Sequence, residues 1–258
     1  MFDKAAADHY DRHVGRYNAE LARALVEFAG VRPGQRALDV GCGPGALSRE
    51  LAAVLGAMHV SAIDPSPSFV AAAQGRLPGV DVRVAAAEQV PFDDNTFDHA
   101  LAQLVVNFMA DARKGLSEMA RVTRSGGVIS VATWDYSDGM TFLRKFWDAA
   151  IATDPRGGDA DEGLTMRYCR PDELAELLES VGLRNVRTGE AAPRGRYTSF
   201  DDLWQPLLGG IGPSGVYVTS LDDAQRATFR TEFRRQLGVG DEPFELSARA
   251  WLARAEVP

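Results

Sequence analysis

The chain has 258 residues, 45% hydrophobic and 25% charged, the balance of a globular protein holding one large domain or two small ones. Its 28 Lys and Arg against 36 Asp and Glu leave a net charge of −8, which speaks against a general nucleic-acid binder, whose phosphate contacts need a basic face. Two cysteines, Cys42 and Cys169, are too few for a disulfide framework or a paired-cysteine metal site, and no apolar run approaches the roughly 18 residues of a membrane span. With charges early in Met-Phe-Asp-Lys-Ala and no apolar core of a signal peptide, the expectation is a cytoplasmic protein without membrane insertion.

Residues 1–17 form a polar leader carrying His9, Tyr10, His13, Arg16 and Tyr17. Asn18 is placed to cap a helix through Ala29, with Leu21, Leu25 and Phe28 on one face and Gly30 near its end. After the turn Arg32-Pro33-Gly34 comes the stretch around which the chain is organised, Arg36 to Gly45. A short apolar strand interrupted by Asp39 runs into Gly41, Gly43 and Gly45 at alternate positions, and Leu47, Leu51 and Leu55 then repeat with helical spacing. Glycine takes positive φ without strain and lets backbone lie against a ligand, and the helix that follows aims unpaired N–H groups and a positive dipole end at the same place. Asp39 falls at the carboxyl end of the strand, where open α/β sheets bind ligands.

Gly41 to Ala46 also satisfies the dinucleotide pattern G-x-G-x-x-G/A. Asp39 argues against that reading, because its charge would face a pyrophosphate, whereas it suits a ligand carrying an ammonium group. A glycine turn without any ligand is the plain alternative, but three alternate glycines weaken a turn that has no use for them.

Met58 to Ile63 reads as a second strand ending at Asp64-Pro65, and an acid at the end of a second strand can accept hydrogen bonds from both ribose hydroxyls. Ser66 opens the next helix, and Val80 to Ala85 alternates as a strand. Phe97 to Leu101 is a further strand with Gln103 just beyond it, at the sheet edge that holds Asp39. A helix opened by Asp111 runs through Arg124 and stops at Gly126-Gly127, and Val128 to Ala132 is the most apolar strand. Alternation of strand and helix points to a parallel sheet covered on both faces.

Thr141 to Ala152 is an aromatic-rich helix, Pro171 to Val181 an amphipathic one, and Leu183 to Val186 a strand. Residues 194–240 hold Phe200, Trp204 and Tyr217 and then a charged helix from Asp222 to Leu237. Phe244 to Leu252 alternates as one last strand. The aromatic residues fit an apolar ligand or, more simply, the core of that region itself. His59 and His99 have no metal-ligand spacing, and no nucleotide P-loop, zinc-protease or EF-hand motif is present.

Asp39-Val-Gly-Cys-Gly-Pro-Gly45 resembles motif I of the class I S-adenosylmethionine-dependent methyltransferases, and the chain is similar to their small-molecule branch that includes the ubiquinone and menaquinone methyltransferases. The resemblance is strongest from Tyr10 to about Thr133. It implies a Rossmann-like, doubly wound α/β sheet of about seven strands, mostly parallel with an antiparallel last strand beside the sixth, helices on both faces and a helical lid. Residues 1–30 would be a cofactor-covering leader, 36–193 and 241–258 the core sheet, and 194–240 the lid.

The implied cofactor is S-adenosyl-L-methionine, with Asp39, Gly41 and Gly43 at its amino acid part. Asp64 and Pro65 would lie at the ribose, Ala87 and Glu88 at the adenine, and Tyr10, Arg16 and Gln103 at the methionine end. Ala86 stands where many relatives carry an acid for the adenine amino group, a departure at that contact. The implied activity is transfer of a methyl group to a small-molecule oxygen, carbon or nitrogen nucleophile, with His9 and His13 as candidate bases under the leader. The alternatives are an NAD(P)-dependent oxidoreductase, argued from Gly41–Ala46 and Asp64, and a non-catalytic cofactor-binding module.

Overall fold

A computed structural model describes residues 15–210 and 212–258, so Tyr10, His9 and His13 lie outside the described residues. After a single 3-10 turn at Gly15–Tyr17, the chain runs α1 (Asn18–Ala29), β1 (Ala37–Val40), α2 (Ala46–Leu55), β2 (Val60–Asp64), α3 (Pro67–Arg76), β3 (Asp81–Val84), β4 (Phe97–Gln103), α4 (Ala112–Val122), β5 (Thr123–Trp134), α5 (Thr141–Thr153), α6 (Pro171–Glu179) and β6 (Arg184–Ala191). It continues through β7 (Arg194–Tyr197), α7 (Phe200–Trp204), α8 (Gly212–Ser220), α9 (Asp223–Leu237), β8 (Phe244–Ser247) and β9 (Ala250–Glu256).

Seven strands form one sheet in the order β3-β2-β1-β4-β5-β9-β6. All are parallel except β9, which lies antiparallel between β5 and β6. Strands β1 and β2 are buried along their whole length, which is why they read as near-continuous apolar runs. Alternation within them splits the core. Ala37, Leu101 and Ala132 face α1, α2 and α5 through Leu21, Leu47, Leu51 and Phe146. Leu38, Val40, Ala100 and Val131 face α4 and α6 through Leu116, Met119, Leu174 and Leu178. The chain leaves β1 for β2 on one side and returns to pair β1 with β4 on the other. That reversal opens a crevice at the carboxyl ends of β1 and β4.

Three local expectations need correction. Asn18 is not a cap: the 3-10 turn runs straight into α1, Tyr17 occupies the cap position with helical angles, and no side chain accepts from the first turn. Gly126 and Gly127 do not end a helix but belong to β5, where Gly126 N–H donates to the Val257 carbonyl and Val257 N–H to that of Gly127. The alternating stretch 244–252 is two strands. β8 pairs with β7 in a separate two-stranded antiparallel sheet, a wide hairpin whose connection carries α7, α8 and α9, and β9 enters the main sheet. Between them the chain turns at Arg249, whose guanidinium is held by Asp135 at 2.7 Å and Asp138 at 2.9 Å.

The aromatic residues of 194–240 pack on one another and on α5. Phe146, fully buried on α5, makes edge contacts with Trp147, Tyr217, Phe229 and Phe233 at centroid distances of 4.9 to 5.9 Å, and Phe200 and Trp204 stack nearby at 6.2 Å. The simpler reading of these residues holds: they are a core. Asp222 accepts from Gln225 N–H while the Gln225 side chain accepts from Asp222 N–H, a complete capping box for α9. Phe146→Ala should therefore cost about 3–5 kcal/mol in urea unfolding. A loss below about 1 kcal/mol would show that α5 and α9 are not joined through this ring.

Candidate functional site

The crevice is lined by the start of α1, the end of β1, the glycine turn, the first turn of α2 and Gln103. Gly41 and Cys42 both donate their N–H groups to the Ile63 carbonyl, at 2.8 and 2.9 Å, which folds the turn back over β2. Gly41 has φ +73°, and a Cβ there would lie 2.4 Å from Val105 Cγ2, so both conformation and packing demand glycine. Gly43, at φ +51°, has open space where a Cβ would stand, and its N–H is given to Asp64.

Asp39 is 1% exposed. Its Oδ2 accepts from Ser48 Oγ on α2 at 2.6 Å, and its Oδ1 has no partner among the described residues. Burial, opposed by the Ser48 hydroxyl and assisted by the charge of Asp64, pushes its carboxyl up to about 7. Gln103 lies two residues past Leu101, which is in register with Asp39, and so shares its sheet edge. Gln103 donates to the main-chain carbonyl of Asn18 at 3.3 Å and keeps an unpartnered Oε1. Leu104, immediately after it, holds φ +62°, an uncommon angle for a branched side chain at a bend beside the crevice.

Asp64 joins this group through the loop. Its Oδ2 accepts from Gly43 N–H at 2.9 Å and its Oδ1 from Ser66 N–H at 2.8 Å. Burial raises its carboxyl while those two N–H groups oppose the shift. Pro65 follows directly, and Ala85 N–H donates to the Asp64 carbonyl at 3.1 Å, bringing the Ala87-Glu88 segment alongside. Ala87 packs in the core beneath α4, and Glu88 accepts from Asp111 N–H at 3.1 Å, at the N-terminus of that helix.

Arg16 is turned the other way. It donates to the Arg196 carbonyl and to Asp202 at 3.3 Å, and lies 4.1 Å over the Tyr197 ring, so it joins the leader to the β7 hairpin rather than lining the crevice. His99 is in register with Ala37, at the far end of β1, and is buried against Gln35 at 3.0 Å. The described residues contain no group of His, Cys, Asp or Glu placed to hold a metal ion, and no helix long and apolar enough to cross a membrane.

Sequence reasoning missed one carboxamide of the crevice, Asn18, which is 5% exposed with its Oδ1 unpartnered. Its position just before a helical pattern reads as a cap, and no other local signal marks it.

Fold and crevice define an α/β protein of the Rossmann-like class, with a buried carboxylate at the point where the sheet order reverses. A family model described as a methyltransferase domain matches residues 38–131. A malonyl-(acyl-carrier protein) O-methyltransferase of Serratia marcescens is 32% identical over 240 residues, covering 83% of this chain and 93% of that one. A demethylmenaquinone methyltransferase of Beutenbergia cavernae is 32% identical over 176 residues, 64% and 72% of the two chains. In other curated relatives the match spans about half their length, as in a probable chloroplastic tocopherol O-methyltransferase of rice, 28% identical, of which 52% is covered.

Among solved structures, a putative methyltransferase from Bacillus halodurans superposes with a TM-score of 0.58 at 17% identity, covering 92% and 98%. A Haemonchus contortus phosphoethanolamine N-methyltransferase 2 in complex with S-adenosyl-L-methionine reaches 0.59 at 16% identity, covering 98% and 57%. The chain belongs to the class I S-adenosylmethionine-dependent methyltransferases. The oxidoreductase alternative finds no support in these relatives.

The acceptor set fits the ammonium group of S-adenosylmethionine: unpartnered buried oxygens on Asp39, Gln103 and Asn18 belong to residues lining one crevice and can accept from its N–H groups. A pH dependence follows. Below about pH 7 the free protein holds a proton on Asp39, and an ammonium ligand needs the carboxylate, so binding must expel that proton. The dissociation constant of S-adenosylhomocysteine should rise up to about tenfold per pH unit below about 7 and stay level from 7 to 8, with Asp39→Asn flattening the profile. Calorimetry between pH 5.5 and 8 checks this, and a flat wild-type profile would refute it.

Proposed function

We propose that the chain transfers the methyl group of S-adenosylmethionine to a small-molecule acceptor, with the crevice between β1 and β4 as the cofactor site. The observation that carries this reading is the convergence of unpartnered acceptor oxygens on the glycine turn. In this reading Asp39, Gly41, Gly43 and Gln103 hold the amino acid tail, Asp64 with Pro65 the ribose, and Ala87 with Glu88 the adenine edge. Tyr10 and Arg16 belong to the leader that covers the methionine end, Arg16 by fastening that leader to the hairpin.

When bound, the cofactor supplies a methyl group made electrophilic by its sulfonium. The protein's task is then orientation and exclusion of water, which needs no catalytic triad. Gly43 and Ser66 N–H groups fix Asp64, so its carboxylate is oriented before a ribose meets it. An oxygen nucleophile is the first acceptor to test, because several relatives are named O-methyltransferases.

Two experiments bear on this. Methyl-labelled S-adenosylmethionine incubated with the protein and a panel of small phenols, carboxylates and amines should pass label to at least one acceptor. Tight cofactor binding with no transfer to any metabolite pool would favour a binding module, a live distinction because one structural neighbour at 21% identity is a [4+2]-cyclase. Asp64→Ala should weaken S-adenosylhomocysteine binding by about 1.5–3 kcal/mol, the scale of hydrogen bonds to a charged group. An unchanged constant removes Asp64 from the site.

A further inference from the structure

The first turn of α1 joins two features that have so far stood apart. On one side Asn18 faces the crevice, 5% exposed, with Oδ1 lacking a partner beside the free oxygens of Asp39 and Gln103. On the other, the preceding residue Tyr17 is clamped by the hairpin. Its hydroxyl meets that of Tyr197 at 3.0 Å, deep in the protein, and its ring lies so close over Gly195 that a Cβ there would stand 2.5 Å from Tyr17 Cζ. The Arg16–Asp202 pair adds a second tie one residue earlier. Gln103 donates to the Asn18 carbonyl and fixes the same turn from the sheet side.

A buried carboxamide oxygen without a partner is costly unless a ligand supplies the donor. A carboxamide can turn either end toward a ligand, and against an ammonium it presents oxygen. Asp39 alone offers one free oxygen to a group with three N–H bonds, whereas Asp39, Gln103 and Asn18 together offer three.

We propose that Asn18 is a specificity-determining ligand for the ammonium group of the cofactor's amino acid tail, and that Tyr197 is a positioning residue which holds Asn18 at the crevice through Tyr17. This rests on the cofactor reading above. It makes the β7 hairpin, which contributes no lining residue to the crevice, part of the machinery that recognises the tail.

The test compares two probes by calorimetry at pH 8: S-adenosylhomocysteine, which has the amino acid tail, and methylthioadenosine, the same nucleoside thioether without it. Asn18→Leu keeps the side chain's size and removes the acceptor. It should weaken S-adenosylhomocysteine about tenfold or more while methylthioadenosine stays within about twofold. Tyr197→Phe should weaken the tailed ligand severalfold and spare the tailless one. Asn18→Ala repeats the first comparison without a branched side chain, and ligand-free melting curves confirm that each variant is folded. Equal losses on both probes, or no loss on either, would overturn the role given to Asn18. An unchanged constant in Tyr197→Phe would overturn the coupling to the hairpin. A wild-type chain that binds neither probe overturns the cofactor reading beneath both.

Discussion

A carboxylate buried at the reversal point of the sheet is the constraint on which the rest depends. Asp39 has one hydroxyl donor, from Ser48, and no cation among the described side chains that approach it. A buried charge so poorly compensated disfavours the folded chain, and the group takes a proton instead. A ligand that brings its own positive charge reverses this balance. The fold supplies further acceptor oxygens for such a ligand nearby, from α1 and β4. The raised proton affinity of Asp39 and the cationic ligand proposed for the crevice both follow from one placement.

Around that charge the structure is arranged to be rigid. The glycine turn is held to β2 by two N–H donors on the Ile63 carbonyl and by the bond from Gly43 to Asp64. Val105 fills the space that a Cβ on Gly41 would take, so the segment after β4 packs directly against the turn. Leu104 holds a left-handed backbone to make this fit. A site fixed in advance loses little conformational freedom when a ligand arrives.

The region after β6 follows a different logic. Its aromatic residues satisfy one another in a cluster centred on Phe146, which leaves little of that surface for an acceptor. Its hairpin instead reaches the leader through Tyr17, Tyr197 and the Arg16–Asp202 pair.

Much of this was legible in the chain itself. Strand and helix periods along 37–134 follow from one- and two-sided burial, and the glycine turn is visible because left-handed backbone selects glycine wherever it occurs. Asp39 and Asp64 stand out because acids interrupt or end apolar runs. Long-range register is another matter. The pattern over 244–252 is continuous as a string, yet it is divided between two sheets because Arg249 is drawn to Asp135 and Asp138. Gly126 and Gly127 look like a helix stop until their N–H and carbonyl groups find the C-terminal strand. Asn18 carries the local marks of a cap, and only the packing of Tyr17 against a hairpin some 180 residues away turns it toward the crevice. Local sequence determined the elements and the glycine turn between β1 and α2. Tertiary structure decided which polar atoms were left without partners, because that depends on contacts between residues that no window of sequence contains.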